Sequence, residues 1–227
     1  MSEDVFFRYQ RVRAEIDAAA RAAGRDPAGV FLLPVSKTVT AAVIRELYDR
    51  GVRDFGENRA PVLEEKAAAL PGDIRWHFIG QLQANKVRKV VKLAHTIHSC
   101  DSAALIGRID RISGEEGRRP RLLVEVNISG EASKSGVPVS CCREVIAAAA
   151  ACSHAQFCGL MTMAPLGAAP EELRRIFSAL RELGEAARRE TGLALPELSM
   201  GMSGDWKEAV ACGSTLVRIG TAIFAGV

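Results

Sequence analysis

Lys37 stands directly after an apolar run, Val30 to Ser36, that is bounded by polar residues. A run of that length reads as a strand buried on both faces of a parallel sheet, and its end delivers Ser36 and Lys37 to a rim. An amine in such a place is expected to be partly withdrawn from water, and a neutral amine is the form that attacks an aldehyde. Position alone equally allows a lysine that only extends its stem to the rim. Two further stretches, Gly201-Met202-Ser203-Gly204 and Gly220-Thr221, follow expected strands and open onto a helix or turn. Small residues, helix-start amides and hydroxyl donors are what a phosphate group needs, although either loop alone also reads as an ordinary glycine-rich turn. Arg218 lies within Leu216-Val217-Arg218-Ile219, where period-two alternation turns it towards the barrel mouth. A charge buried there requires a partner, which is either a core carboxylate such as Glu125 or a ligand. The lysine and the two phosphate-type loops favour the ligand.

These residues need a scaffold that brings several strand ends together. Val5, Phe6, Tyr9, Val12, Ile16 and Ala19 recur at helical spacing before Gly24 and Pro27, which predicts an opening amphipathic helix. After the first strand the pattern alternates. Helices are predicted over 41–50, 60–70, 84–93, 102–113, 139–152, 171–191 and 206–212. Strands are predicted over 52–55, 75–79, 96–98, 122–127, 156–161, 197–200 and 215–219. About eight short strands alternating with longer helices indicate an α/β fold, a single (β/α)8 TIM-type barrel occupying residues 1–227 as one domain. The opening helix is expected where an eighth helix would otherwise pack. A doubly wound open sheet would place a glycine-rich turn after its first strand, and Lys37-Thr38-Val39 supplies none. In the barrel, reactive groups gather at the C-terminal ends of the strands, where Lys37, Ser203, Arg218, Gly220 and Thr221 all fall.

The chain has 227 residues, 48% hydrophobic and 25% charged, which is enough for one large core. A net charge of +3 against 30 basic and 27 acidic residues gives little long-range attraction for nucleic acid or anionic lipid. No apolar run approaches a membrane span, and Met1-Ser2-Glu3-Asp4 is acidic where a secretory leader would be basic, so a cytoplasmic location is expected. The six cysteines form no CxxC pair and no zinc spacing, which predicts free, mostly buried thiols and no metal. Lys86-Val87-Arg88-Lys89-Val90-Val91-Lys92 interleaves charge with valine at helical spacing and reads as a solvated helix face. Ser129 to Gly136 resembles a phosphate loop in composition, but its lysine does not follow the second glycine, so the Walker spacing fails. It is expected to be a loop at the barrel mouth in which Lys134 could attract an anion.

Several strings, taken in order, resemble the pyridoxal phosphate homeostasis proteins, whose single domain is similar to the barrel domain of alanine racemase. They are Val35-Ser36-Lys37-Thr38, Phe55-Gly56-Glu57-Asn58, Trp76-His77-Phe78-Ile79-Gly80, Ser133-Lys134-Ser135-Gly136, Gly159-Leu160-Met161, Leu198 to Ser203, and Val217 to Phe224. The likeness spans almost the whole chain, with Ala225 as a departure where a glycine usually follows Phe224. It implies pyridoxal 5'-phosphate as cofactor, joined as a Schiff base to Lys37. It also implies Asn58 and Met161 beside the cofactor, Arg218 at the pyridine nitrogen, and Ser203, Gly220 and Thr221 on the phosphate.

An arginine at that nitrogen disfavours its protonation and makes the ring a poorer electron sink. The two tyrosines, Tyr9 and Tyr48, fall in predicted helices away from strand ends, so two-base racemisation lacks its opposing group. The resemblance therefore implies a non-catalytic monomer that binds and buffers the cofactor and meets apo enzymes transiently. The rivals are a weak racemase or decarboxylase using Lys37 with His77, and a phosphosugar aldolase, which would bind no chromophore.

Overall fold

The computed structural model describes residues 4–131 and 134–226. Helix α1 (Val5–Ala22) is capped by the Asp4 carboxylate, which accepts from the Phe6 amide at 2.9 Å, and it buries Val5, Val12, Ile16 and Ala20 along one face. Strand β1 (Phe31–Pro34) leads through Lys37 to α2 (Ala41–Asp49), and β2 (Asp54–Glu57) to α3 (Ala60–Ala69). Next come β3 (Arg75–Phe78), α4 (Val87–Leu93), β4 (Ala94–Cys100), α5 (Ala103–Glu115) and β5 (Arg121–Asn127). A two-residue strand β6 (Val137–Pro138) precedes α6 (Cys142–Ala150), β7 (Gln156–Met161) and α7 (Pro170–Thr191). The chain closes with β8 (Glu197–Ser199), α8 (Trp206–Ala211), β9 (Leu216–Ile219) and α9 (Thr221–Phe224).

All the strand pairings are parallel, in the order β1-β9-β8-β7-β5-β4-β3-β2, with β6 pairing β5 alone. A bridge between Val35 and Gly56 links β1 to β2, and the Ser36 amide donates to the Gly56 carbonyl at 2.9 Å. The sheet thereby comes round into a nearly closed barrel of eight strands with the helices outside, as the alternating sequence pattern predicts. Helix α1 packs on α2, α8 and α9, in the gap after the last barrel strand.

The apolar core is concentrated between sheet and helices, where Phe55, Ile97, Ile106 and Phe177 are fully buried. Each such side chain contributes about 1.5–3 kcal/mol on burial. Inside the barrel the separate apolar cluster is small, Leu123, Cys158 and Met161 with Met163 against them. Much of the remaining interior is polar, with His77, His98, Ser199 and Arg218 all buried.

The boundaries differ from the sequence pattern where side-chain polarity misleads. Strand β2 runs two residues later than predicted, because Val52 still bonds back to Leu47 at the helix end while the acidic Glu57 is fully buried as part of the strand. Helix α6 begins at Cys142, after a 3-10 turn over Val139–Cys141. Strand β6 and helix α9 have no counterpart among the predicted elements, since two and four residues are too few to show a period. Val87, Val90 and Val91 of α4 are buried, while Arg88, Lys89 and Lys92 pair with Glu115, Glu116 and Glu64, so that basic run is a solvated helix face. Of the expected mouth loop, Ala132 and Ser133 lie outside the described residues.

Candidate functional site

Lys37 is placed by a buried block beneath it. The Ser36 hydroxyl donates to Glu57 Oε1 at 2.6 Å, and Lys66 Nζ donates both to that oxygen at 2.6 Å and to the Ser36 carbonyl at 2.8 Å. Ser36 and Glu57 are fully buried and Lys66 nearly so, which makes this a desolvated ion pair that fixes the turn carrying Lys37. Lys37 itself is exposed in the ligand-free chain, in contrast to the partial desolvation its position after an apolar strand predicts. The apolar run ends one residue too early to cover it.

Above this block the C-terminal strand ends surround a cavity of about 730 Å³. Lys37, Asn58, Ser203, Arg218, Gly220 and Thr221 all line it, so six of the seven residues expected to bind one ligand share one cavity. Met161 does not line it. Its side chain is in the barrel interior with Leu123 and Cys158, and Met163, two residues on, reaches the cavity instead. Period-two spacing puts both methionines on the inner face, and Met163 packs on the Leu123–Cys158–Met161 cluster one layer nearer the mouth, so depth and not facing separates them.

The loops are held by close backbone approach. A Cβ on Gly80 would lie 2.0 Å from the Asn58 carbonyl oxygen, so the loop after β3 presses on the backbone that presents Asn58. Gly201 has φ +96°, and a Cβ there would meet Ala209 Cβ at 2.7 Å. From Gly201 the chain turns to expose Ser203, and Asp205 accepts from the Met202 amide at 2.5 Å to close the turn. Ser203 and Gly204 thus precede α8, while Gly220 and Thr221 begin α9, and the first amides of a helix have no intrahelical partners. The structure therefore puts hydroxyl groups and helix-start amides on one side of the cavity and the Lys37 amine on another wall.

Arg218 crosses the floor. Its Nη1 donates to Ser199 Oγ at 2.6 Å and its Nη2 to the Thr162 carbonyl at 3.1 Å. Burial pushes its pKa down to about 10 against the opposing pull of Asp205 and Glu125. The salt bridge to Glu125 that strand alternation allows is not formed, and among the described residues no carboxylate is in ion-pair contact with Arg218. Glu125 also lines the cavity and is 2% exposed, with Oε1 buried and without a hydrogen-bond partner. Burial pushes its carboxyl up to about 7, against the pull of Arg218. An open acceptor and an arginine without a carboxylate, both at a cavity, are polar groups whose remaining partners a ligand would supply.

His77 is elsewhere. It is buried inside the barrel between Asp54 and His98 and is not part of the cavity wall. Tyr9 belongs to α1, and Tyr48 donates to Asp73 on the outer surface. Sequence reasoning passed over Glu57 and Lys66 as functional residues. The available signal was a glutamate closing a buried strand nine residues before a lysine on the next helix. Among the described residues no helix is long and apolar enough to cross a membrane, and no cluster of metal-ligating side chains occurs. Cys100, Cys142, Cys158 and Cys212 are buried free thiols, and Cys141 is exposed.

Residues 8–226 match the family model described as alanine racemase, N-terminal domain. The pyridoxal phosphate homeostasis protein of Aquifex aeolicus is 40% identical over 218 residues, covering 96% of each chain, and that of Synechocystis is 40% identical over 200 residues, covering 87% of this chain and 92% of its own. The structure of PipY from Synechococcus elongatus with PLP bound superposes with a TM-score of 0.82 at 41% identity, covering 94% of this chain and all of that one. Alanine racemase from Corynebacterium glutamicum, at 18% identity and a TM-score of 0.71, shares the fold over 62% of its length. With the barrel, the strand-end lysine and near-complete coverage of these relatives in agreement, the chain belongs to the pyridoxal phosphate homeostasis protein family, built on the barrel fold of the alanine racemase N-terminal domain.

Proposed function

We propose that this chain binds pyridoxal 5'-phosphate covalently at Lys37 and serves as a non-catalytic, monomeric cytoplasmic carrier that buffers the cofactor and passes it to apo enzymes. The observation that carries this reading is the convergence of Lys37, Arg218 and the Ser203 and Gly220-Thr221 loops on one cavity. When bound, the cofactor supplies an aldehyde for attachment and an electron-withdrawing ring. Lys37 Nζ is the amine for the attachment, and the Ser36–Glu57–Lys66 block holds its backbone in place. Hydroxyls of Ser203 and Thr221, with helix-start amides, are suited to a phosphate dianion. Arg218 has only donors to offer and disfavours a proton on the ring nitrogen, which limits carbanion chemistry. Asn58 lies on the wall next to Gly80 and closes one side of the ring site.

Hydride reduction of cofactor-saturated protein followed by intact-mass and peptide mapping tests the reading. One adduct on Lys37, absent from Lys37→Ala, is expected; an adduct on another lysine, or none, would overturn it. Mixing the loaded protein with an apo enzyme and a free-cofactor trap reads whether transfer is direct.

A second reading, a slow amino-acid racemase or decarboxylase, draws on Glu125 rather than His77, because Glu125 is the buried carboxyl at the cavity whose pKa is raised to about 7. Sustained formation of D-amino acid or amine from an L-amino acid, abolished in Glu125→Gln, would favour it over the carrier.

A further inference from the structure

A chain of buried side chains crosses the barrel interior from the cavity to its opposite end. Arg218 Nη1 lies 2.6 Å from Ser199 Oγ, which lies 2.9 Å from His98 Nδ1. His98 Nε2 lies 2.9 Å from His77 Nδ1, and His77 Nε2 lies 3.1 Å from Asp54 Oδ1. Asp54 in turn accepts from Arg75 Nε at 2.8 Å and from Arg75 Nη2 at 2.5 Å. All five members of the interior chain are less than a tenth exposed.

The donors and acceptors can be assigned from the two ends inward. A guanidinium only donates, so Ser199 Oγ accepts from Arg218 and has its own proton to give to His98 Nδ1. A neutral His98 with a bare Nδ1 carries its proton on Nε2, facing His77 Nδ1. His77 then carries its proton on Nε2 and donates to the Asp54 carboxylate, which only accepts. Every group is satisfied in one direction, from a cation at the cavity to an anion at the far end. The competing arrangement makes His77 an imidazolium and turns His98 to donate from Nδ1, which leaves the Ser199 proton unused. Complete burial, with the charges of Arg218 and Arg121 adding to it, holds the His98 pKa well below the ordinary histidine range and keeps that ring neutral. Beyond the charge on His77, the two arrangements therefore differ only in the His98 tautomer and in the use made of the Ser199 proton, which the first arrangement satisfies.

We infer that Ser199, His98 and His77 are positioning residues that hold Arg218 as a donor to the cavity and connect it, through aligned hydrogen bonds, to the charge of Asp54 at the opposite end of the barrel. Arg218 has no carboxylate in contact, and a polarised chain ending on one provides its counter-charge at a distance. The consequence for the ligand rests on the proposed placement of pyridoxal phosphate over Arg218; the hydrogen-bond direction does not.

Two measurements test it. In ligand-free protein labelled with 15N-histidine, the ring nitrogens should show the His98 proton on Nε2 and a bare His98 Nδ1, with a proton on His77 Nε2 facing Asp54. A proton on His98 Nδ1 overturns the assignment. In the second, Ser199→Ala should weaken pyridoxal phosphate binding about tenfold, the usual effect of losing a buried bond to a charged group. It should also move the absorption maximum of the bound cofactor and release His98 from its single tautomer, whereas Ser199→Thr, which keeps the hydroxyl, retains all three properties. Wild-type affinity and spectrum in a Ser199→Ala protein with an unchanged melting temperature would refute the positioning role. Failure of the wild-type protein to bind the cofactor would strike at the proposed function instead, and the tautomers would still decide the chain.

Discussion

Two buried carboxyl groups, one at each end of the barrel, are driven in opposite directions. Burial raises the pKa of both, but at Asp54 the hydrogen bonds from His77 and Arg75, with the Arg75 charge, outweigh it and bring the group down to about 2. At Glu125 nothing outweighs it, and the group stands at about 7 with a buried oxygen unpartnered. Asp54 completes its polar contacts within the chain, with His77 and Arg75, whereas Glu125 leaves a valence open towards a cavity. A completed network supports stability, and an open one at the C-terminal face of a barrel supports a ligand site. The Glu57–Lys66 pair adds a qualification. It also lies at the C-terminal end, and Glu57 Oε2 is buried without a hydrogen-bond partner too, but Glu57 holds the Lys66 cation through Oε1 and does not line the cavity, so the cation and the place on the wall separate scaffold from site.

The largest effect should come from breaking that pair. Lys66→Met leaves Glu57 buried with its cation removed, and a loss of about 3–5 kcal/mol in denaturant unfolding is expected. A loss below 1 kcal/mol would mean the block is not a scaffold. Next, Glu125→Gln should stabilise the ligand-free protein at pH 8. A folded pKa of about 7, raised from 4.5, means that the stability of the protonated form is complete below pH 4.5 and is lost as pH rises through 7. Glutamine keeps that form, so unfolding curves of variant and wild type should coincide near pH 4 and differ by on the order of 3 kcal/mol at pH 8.

Asp54→Asn should do the reverse, and less strongly. A pKa lowered from 3.8 to about 2 gives stability that is present above pH 3.8 and lost as pH falls through 2. The variant should be less stable at pH 7 by about 1–2 kcal/mol, allowing for solvent screening at the barrel's end, with the gap closing below pH 2. Equal pH profiles for the two variants would erase the contrast between the ends. The smallest effect belongs to the outer surface, where Arg45 and Asp49 pair on α2 with both side chains more than half exposed. Arg45→Ala should change stability by no more than about 0.5 kcal/mol in thermal melts.

Much of the site was legible in the sequence because a barrel sends successive strand ends to one rim. Once Lys37, Ser203, Arg218, Gly220 and Thr221 were assigned to strand ends, their convergence followed from the fold class. Met161 shows the limit of that reasoning. It faces the barrel interior but sits one layer below the cavity that Met163 reaches, and how deep the cavity floor lies is not written in the polarity pattern. The exposure of Lys37 is of the same kind, since it depends on how far the rim extends past Ser36.

The sequence by itself determined the alternation of strand and helix, the lysine at the first strand's end and the small residues that shape the last two loops, because these are local properties of pattern and residue type. Only the tertiary structure decided that Lys66 lies under Lys37, that Arg218 turns from Glu125 to Ser199, and that Asp54, His77 and His98 join across the interior. Those partners lie on different strands or, for Lys66, on a helix, and their meeting depends on the stagger with which the strands pair as the sheet closes.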